Sequence, residues 1–208
     1  MKFYKHTGIL TGAITLAVVL TNTLSANAEE VNGLKTAESF ASIEPESARS
    51  AALFDEMAKV ITHPRCMNCH PVTGGPLQGD TQRPHSPPVK RTEDNFGVVA
   101  MRCTTCHSAE NVEFLGESGS VPGNGHWQLA PQSMGWIGLS TIEICAQLKD
   151  PERNGGRSLQ EVAHHMGDDS LVGWAWNPGP GREAAPGTWE VFAELAEHWV
   201  ESGAACPG

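Results

Sequence analysis

The clearest pattern along the chain is a series of short amphipathic helices separated by irregular segments. Between residues 45 and 62, apolar side chains recur every three or four positions, which predicts a helix with one buried face. Two Ser-x-x-Glu sequences fit the capping box and predict where two later helices begin. The five predicted helices span approximately residues 45–62, 93–101, 140–149, 158–166 and 188–202.

Glycine and proline interrupt this helical pattern. The segments 71–91 and 172–187 are rich in both residues and predict long loops without regular structure. Gly167 is predicted to end the fourth helix as its C-cap. Since no segment gives a convincing strand, the sequence predicts a mainly α fold of short helices joined by long Gly/Pro-rich loops.

The first 28 residues have the pattern of an export signal. Lys2 and Lys5 precede an apolar stretch over residues 8–20, and Ala26-Asn27-Ala28 supplies a small-x-small cleavage pattern. We expect cleavage after Ala28 and a periplasmic protein; the alternative is an uncleaved membrane anchor. Residues 29–44 are polar and aperiodic and predict a flexible tether, and residues 45–208 are expected to form one domain.

The charge and composition limit the partners and the core. Without the signal segment the chain has 12 basic and 24 acidic residues, a net charge of −12. This charge disfavours nucleic acid as a partner and favours a protein that docks through a basic patch. Aromatic residues make up only 6% of the chain, which also contains 22 Gly and 14 Pro. We therefore expect something other than side chains to fill part of the core.

Four of the six cysteines form two copies of one motif. The copies are Cys66-Met67-Asn68-Cys69-His70 and Cys103-Thr104-Thr105-Cys106-His107. Cys-x-x-Cys-His is the sequence at which haem c is attached. Its two thiols bind the vinyl groups of one porphyrin, and the adjacent histidine becomes the proximal ligand of the iron. The sequence therefore predicts two covalent haems, with His70 and His107 as proximal ligands.

Two other roles are open to paired cysteines. A thioredoxin-like redox pair would need a strand-then-helix setting, which neither motif has. A four-cysteine zinc site would not require a histidine directly after each pair. Both alternatives are therefore weaker than haem attachment.

With these motifs and its export signal, the chain resembles small periplasmic dihaem c-type cytochromes. Residues 66–206 are also similar to dihaem cytochromes named as isoquinoline 1-oxidoreductase subunits. The segments that carry this second similarity are residues 79–85, 126–131, 171–179 and 203–207. The resemblance implies a fold wrapped around two haems and electron transfer with a molybdenum hydroxylase.

Several residues are candidates for the distal ligand of each iron. His85 lies in a proline-framed loop between the motifs and is the first candidate, although it could be a solvated loop residue. His164 and His165 face different sides of one helix, so at most one should bind, and the resemblance favours His165. His126 and Met134 are the next candidates.

The distal ligands separate a carrier from an enzyme. Two filled coordination spheres would leave only electron transfer, which is the function that we expect. An open iron would instead allow a small haem peroxidase or gas-binding protein. A third possibility is a subunit of a polymer that conducts electrons along stacked haems.

The remaining cysteines and two arginines complete the set of predictions. Cys145 and Cys206 are predicted to form a disulfide, since the protein is expected to be exported; the alternative is two buried free thiols. Arg65 and Arg102 each directly precede a Cys-x-x-Cys-His motif. We expect them either to pair with haem propionates or to be solvated.

Overall fold

The computed structural model describes Met1, residues 29–114 and residues 119–208. The predicted export signal lies outside these residues, apart from Met1. The described helices are α1 Glu46–Ile61, α2 Pro64–Met67, α3 Cys103–Cys106, α4 Thr141–Lys149, α5 Leu159–Asp168, α6 Ser170–Gly173 and α7 Trp189–Glu201. Short 3-10 turns span Ala37–Phe40, Val99–Met101, Gln132–Met134 and Trp174–Trp176.

The strands are three antiparallel pairs of two residues each. They are β1 Glu30–Val31 with β2 Leu34–Lys35, β3 Leu77–Gln78 with β4 Arg83–Pro84, and β5 Val112–Glu113 with β6 Ser120–Val121. Such short pairs fasten loops and do not form a core sheet. The prediction of a mainly α fold is confirmed.

The hydrophobic core lies where α7 packs against α1 and α5. The Phe54 and Trp199 rings are 5.2 Å apart, and the Ser50 hydroxyl donates a hydrogen bond of 3.2 Å to the Trp199 carbonyl. Gly167 lets α5 approach α7 closely, because a Cβ there would lie 3.0 Å from the Cβ of Ala193. Since α5 ends at Asp168, Gly167 lies inside the helix, and its prediction as a C-cap is wrong.

The capping boxes and the disulfide are where the sequence predicts them. Ser140 and Ser158 each cap their helix together with the glutamate three residues later. Cys145 in α4 forms a disulfide with Cys206, which follows α7. The covalent bond therefore ties the C-terminal segment to the middle of the chain.

Residues 29–44 are part of the packed domain, and the prediction of a flexible tether is wrong. Leu34 is fully buried and Phe40 is nearly so. Gly187 contacts Leu34 so closely that a Cβ at Gly187 would lie 2.7 Å from the leucine side chain. This contact joins residues far apart in sequence, which is why the local pattern did not show it.

The helix predicted for residues 93–101 is also wrong. The segment forms turns and one 3-10 turn, with Asn95 and Gly97 at φ values of 64° and 83°. Those left-handed conformations end any helix that begins at Thr92.

Within the described residues, no helix is long and apolar enough to cross a membrane.

Candidate cofactor site

Each Cys-x-x-Cys pair lies on or beside a single helical turn. Cys66 lies in α2, and Cys69 follows the helix, whereas Cys103 and Cys106 are the ends of α3. Residues three apart on a helical turn lie on the same face, so each turn presents two thiols together. All four cysteines are free thiols in this structure.

The thiols of the first motif are neutral. Burial raises the pKa of Cys66 to about 12 and the pKa of Cys69 to about 11. Across the described residues, no group of three or more His, Cys, Asp or Glu side chains is placed to hold a metal ion. The four cysteines therefore do not form the tetrahedral site that the zinc alternative requires.

The His70 imidazole is held in a fixed orientation. Its Nδ1 donates a hydrogen bond of 2.7 Å to the Met134 carbonyl, and its ring stacks on Trp136 at 3.4 Å between centroids and 9° between planes. Burial lowers the pKa of His70 to about 3, so the imidazole is neutral. Because a carbonyl can only accept, the proton lies on Nδ1 and the lone pair of Nε2 is available to a metal.

His107 repeats this arrangement in the second motif. Its Nδ1 donates a hydrogen bond of 2.6 Å to the Pro122 carbonyl, and its ring stacks on Trp127 at 4.5 Å and 8°. Burial lowers the pKa of His107 as well. Neither stacking contact has a local signal in the sequence, because Trp136 is far from His70 in the chain and Trp127 is far from His107.

The first motif opens onto a cavity, here named cavity A, with a volume of about 260 Å³. Cys66, Cys69 and His70 line it together with His165, which comes from α5. His70 and His165 therefore line the same cavity although they lie far apart in the chain. The structure thus brings the predicted distal candidate to the first motif.

The second motif opens onto cavity B, with a volume of about 520 Å³. His85 and His107 both line it, and their ring centroids are 6.0 Å apart. His85 donates from Nδ1 to the Pro87 carbonyl at 2.8 Å, which leaves its Nε2 available. The volume of cavity B lies within the range of about 300–1,000 Å³ that is usual for cofactor sites, and cavity A is slightly smaller.

The other candidate ligands have different partners. The Nε2 of His126 is hydrogen-bonded to Asp169 at 2.9 Å, so that nitrogen is already engaged. His164 is exposed and bonds through Nδ1 to Asp168, whereas His165 faces cavity A. Met134 is buried and lines cavity A, where its carbonyl orients His70.

One thin wall separates the two cavities. The residues that line both of them are Arg65, Cys69, Gln128, Leu129 and Trp174. Trp174 also packs edge-on against Trp127 at 4.9 Å between centroids. Ligands in the two cavities would therefore be near neighbours.

A buried and a half-buried arginine make the cavities attractive to anions. The Arg65 side chain is only 1% exposed and pairs with Asp80, but its Nε has no hydrogen-bond partner among the residues that the structure describes. Arg182 lines cavity B, and burial and the charge of Arg65 lower its pKa. Arg182 has oxygen partners in Ser120 and Pro178 but no carboxylate partner among the described residues, so the positive charge around cavity B favours carboxylate groups there.

The second predicted propionate partner is placed differently. Arg102 is about half exposed and forms an ion pair of 3.0 Å with Asp94. It lines cavity B near its surface. The two arginines that precede the motifs thus differ. Arg65 is buried, so the alternative that it is solvated is wrong.

Comparison with protein families, curated proteins and solved structures finds no match for this chain. Paired thiols, neutral imidazoles with an available Nε2 and guanidinium groups are the side-chain groups with which haem c is held. The residues that line cavity A fit a haem c group, and so do the residues that line cavity B.

Proposed function

We propose that the chain is a periplasmic dihaem c-type cytochrome that carries electrons between redox proteins. One observation supports the proposal most strongly. Each cavity combines a Cys-x-x-Cys-His motif with a second histidine from another part of the chain: His165 for cavity A and His85 for cavity B.

The roles of the residues follow from the contacts around each cavity. Cys66 and Cys69 would hold one haem covalently, and Cys103 and Cys106 would hold the other. His70 and His107 would be the proximal ligands, each oriented by a backbone carbonyl and a stacked tryptophan. When bound, haem supplies a one-electron iron couple whose potential the axial ligands and their hydrogen bonds set.

The geometry of cavity B supports ligation by two histidines. The centroids of the His85 and His107 rings are 6.0 Å apart, and Nδ1 of both rings is engaged by a carbonyl. Each ring therefore keeps an Nε2 atom that could bind the iron of a haem held in cavity B. A second histidine in each cavity favours a carrier, because an enzyme that binds peroxide or a gas needs an open iron.

The wall between the cavities supports transfer within the protein. Cys69 and Trp174 face both cavities, so an electron that arrives at one site can pass to the other over a short distance. Cys106 is exposed whereas Cys66 and Cys69 are partly buried, so the second site lies nearer to the surface. We assign exchange with partners to that site.

The partners follow from the charge and from the resemblance. A chain of net charge −12 after signal cleavage suits donors and acceptors with basic docking patches. The similarity to isoquinoline 1-oxidoreductase subunits extends the proposal to a molybdenum hydroxylase as one donor. Export through the predicted signal would place the protein in the periplasm, where thiols and haem can be joined.

The proposal is tested on the full chain, produced in a bacterium with a haem c ligation system. Intact mass spectrometry of the exported protein should show loss of residues 1–28 and two added haems. The reduced protein should have the optical bands of low-spin haem c and should be oxidised by another periplasmic cytochrome. A purified, folded protein without covalent haem would overturn the proposal.

A further inference from the structure

Asp169 bridges two histidines next to cavity A. Its Oδ2 lies 3.0 Å from Nδ1 of His165, and its Oδ1 lies 2.9 Å from Nε2 of His126. The backbone N–H of Leu171 also donates to Oδ1, at 2.9 Å, because Asp169 caps α6. The hydrogen bonds from His126 and Leu171, together with the ion-pair contact with His165, fix the position of the carboxylate.

Four described histidines line the two cavities, and among them His165 has a carboxylate partner. The Nδ1 atoms of His70, His107 and His85 donate to the carbonyls of Met134, Pro122 and Pro87, respectively. A carboxylate that accepts from Nδ1 draws the proton more strongly than a carbonyl does and makes the imidazole a stronger base. A stronger base stabilises the oxidised iron relative to the reduced iron.

We propose that Asp169 is a positioning residue that lowers the reduction potential of the haem in cavity A through the contact of its carboxylate with Nδ1 of His165. This inference rests on the proposed function, in which His165 is the distal ligand. It makes the two irons chemically different, although both have two histidine ligands. Cavity A is the site where the carboxylate opposes reduction.

His126 adjusts the strength of this effect. It donates to the other oxygen of Asp169 and so withdraws negative charge from the side that faces His165. Its side chain is 48% exposed. Removing this donor should therefore lower the potential further, which is the opposite of the effect of removing the carboxylate charge.

The test is a redox titration of the purified holoprotein and its variants. In Asp169→Asn, the amide can keep its oxygen towards Leu171 and His126, but its NH₂ group then faces Nδ1 of His165. We expect the equilibrium constant for reduction at one haem to rise about tenfold, which is about 59 mV for one electron. The potential of the other haem should stay unchanged, and both haems should stay low-spin.

Three further variants complete the experiment. Asp168→Asn removes the same charge from the neighbouring residue, whose carboxylate bonds to exposed His164, and it should leave both potentials nearly unchanged. His126→Phe should lower the potential of the same haem. Asp169→Glu keeps a carboxylate, although on a longer side chain, and should leave the potential closer to that of the parent protein than Asp169→Asn does.

The results separate this inference from the proposed function. Equal shifts in Asp169→Asn and Asp168→Asn, or no shift in a low-spin Asp169→Asn protein, would overturn the role of Asp169 while leaving the cytochrome proposal intact. A His126→Phe shift in the same direction as that of Asp169→Asn would also overturn it. Absence of covalent haem from the parent protein would instead defeat the proposed function.

Discussion

The imidazole rings of His85 and His107 face the same cavity, with 6.0 Å between their centroids and 59° between their planes. They come from different kinds of segment: His107 directly follows α3, whereas His85 directly follows β4 in a proline-rich loop. The short β3–β4 pair fastens that loop, since Leu77 and Gln78 pair with Pro84 and Arg83. The loop is therefore built to bring one histidine to the second motif.

The distal ligands give the first prediction. His85→Ala and His165→Ala should each convert one haem from low spin to high spin, because each removes the sixth ligand of one iron. Resonance Raman spectra of the oxidised proteins report both spin states. His164→Ala is the matched control, since His164 is exposed and bonds to Asp168 on the same helix.

A low-spin spectrum in both His85→Ala and His165→Ala would contradict this ligand assignment. A high-spin haem in His164→Ala would contradict the choice between the two neighbouring histidines.

The second prediction concerns the stoichiometry of attachment. Replacing both cysteines of one motif by alanine, Cys66 with Cys69 or Cys103 with Cys106, should leave a protein with one covalent haem. Each motif supplies both thioether bonds of its own haem, so the two losses should be independent. Intact mass spectrometry counts the haems, and a double variant that retains two would show that attachment does not follow the motifs.

The third prediction concerns the disulfide. Cys145 and Cys206 are separated by 61 positions, and replacing both by serine releases that loop in the unfolded chain. The free energy of unfolding should fall by about 2–4 kcal/mol. Chemical denaturation of the holoprotein measures this change, and the parent protein in a reducing agent should show a similar loss. Equal free energies of unfolding for the parent protein and the double serine variant would contradict a structural role for the disulfide.

Features with a local signal could be predicted from the sequence. Ser140 and Ser158 reveal their helices because a capping box involves residues only three positions apart. The Cys-x-x-Cys-His motifs and the candidate distal histidines are equally visible. The pairing of His165 with the first motif and of His85 with the second is not, because it depends on where the loops cross in space.

The features that could not be predicted from the sequence depend on contacts between residues far apart in the chain. Leu34 is one of several apolar residues between 29 and 44, and its burial involves a contact with Gly187, which is far away in the chain. The stacking of Trp136 on His70 likewise joins distant residues. The contact between His165 and Asp169, by contrast, can be predicted from the sequence, since residues four apart on a helix are neighbours.

The fourth prediction concerns docking. The rate of electron transfer from a basic redox protein should fall about tenfold or more between 10 mM and 500 mM salt, because salt screens the attraction to an acidic surface. Stopped-flow absorbance measures the rate. Reduction by a small uncharged hydroquinone is the control and should change little. Equal salt dependence of the two reactions would argue against an electrostatic docking surface.

The most direct test of the central claim is low-temperature EPR of the oxidised holoprotein, quantified against its haem content. The proposed ligation by His70 with His165 and by His107 with His85 predicts two low-spin ferric signals, together equal to the total haem, and no high-spin signal. A high-spin signal equal to half of the haem would mean that one iron is open, and it would contradict the account of a two-site electron carrier.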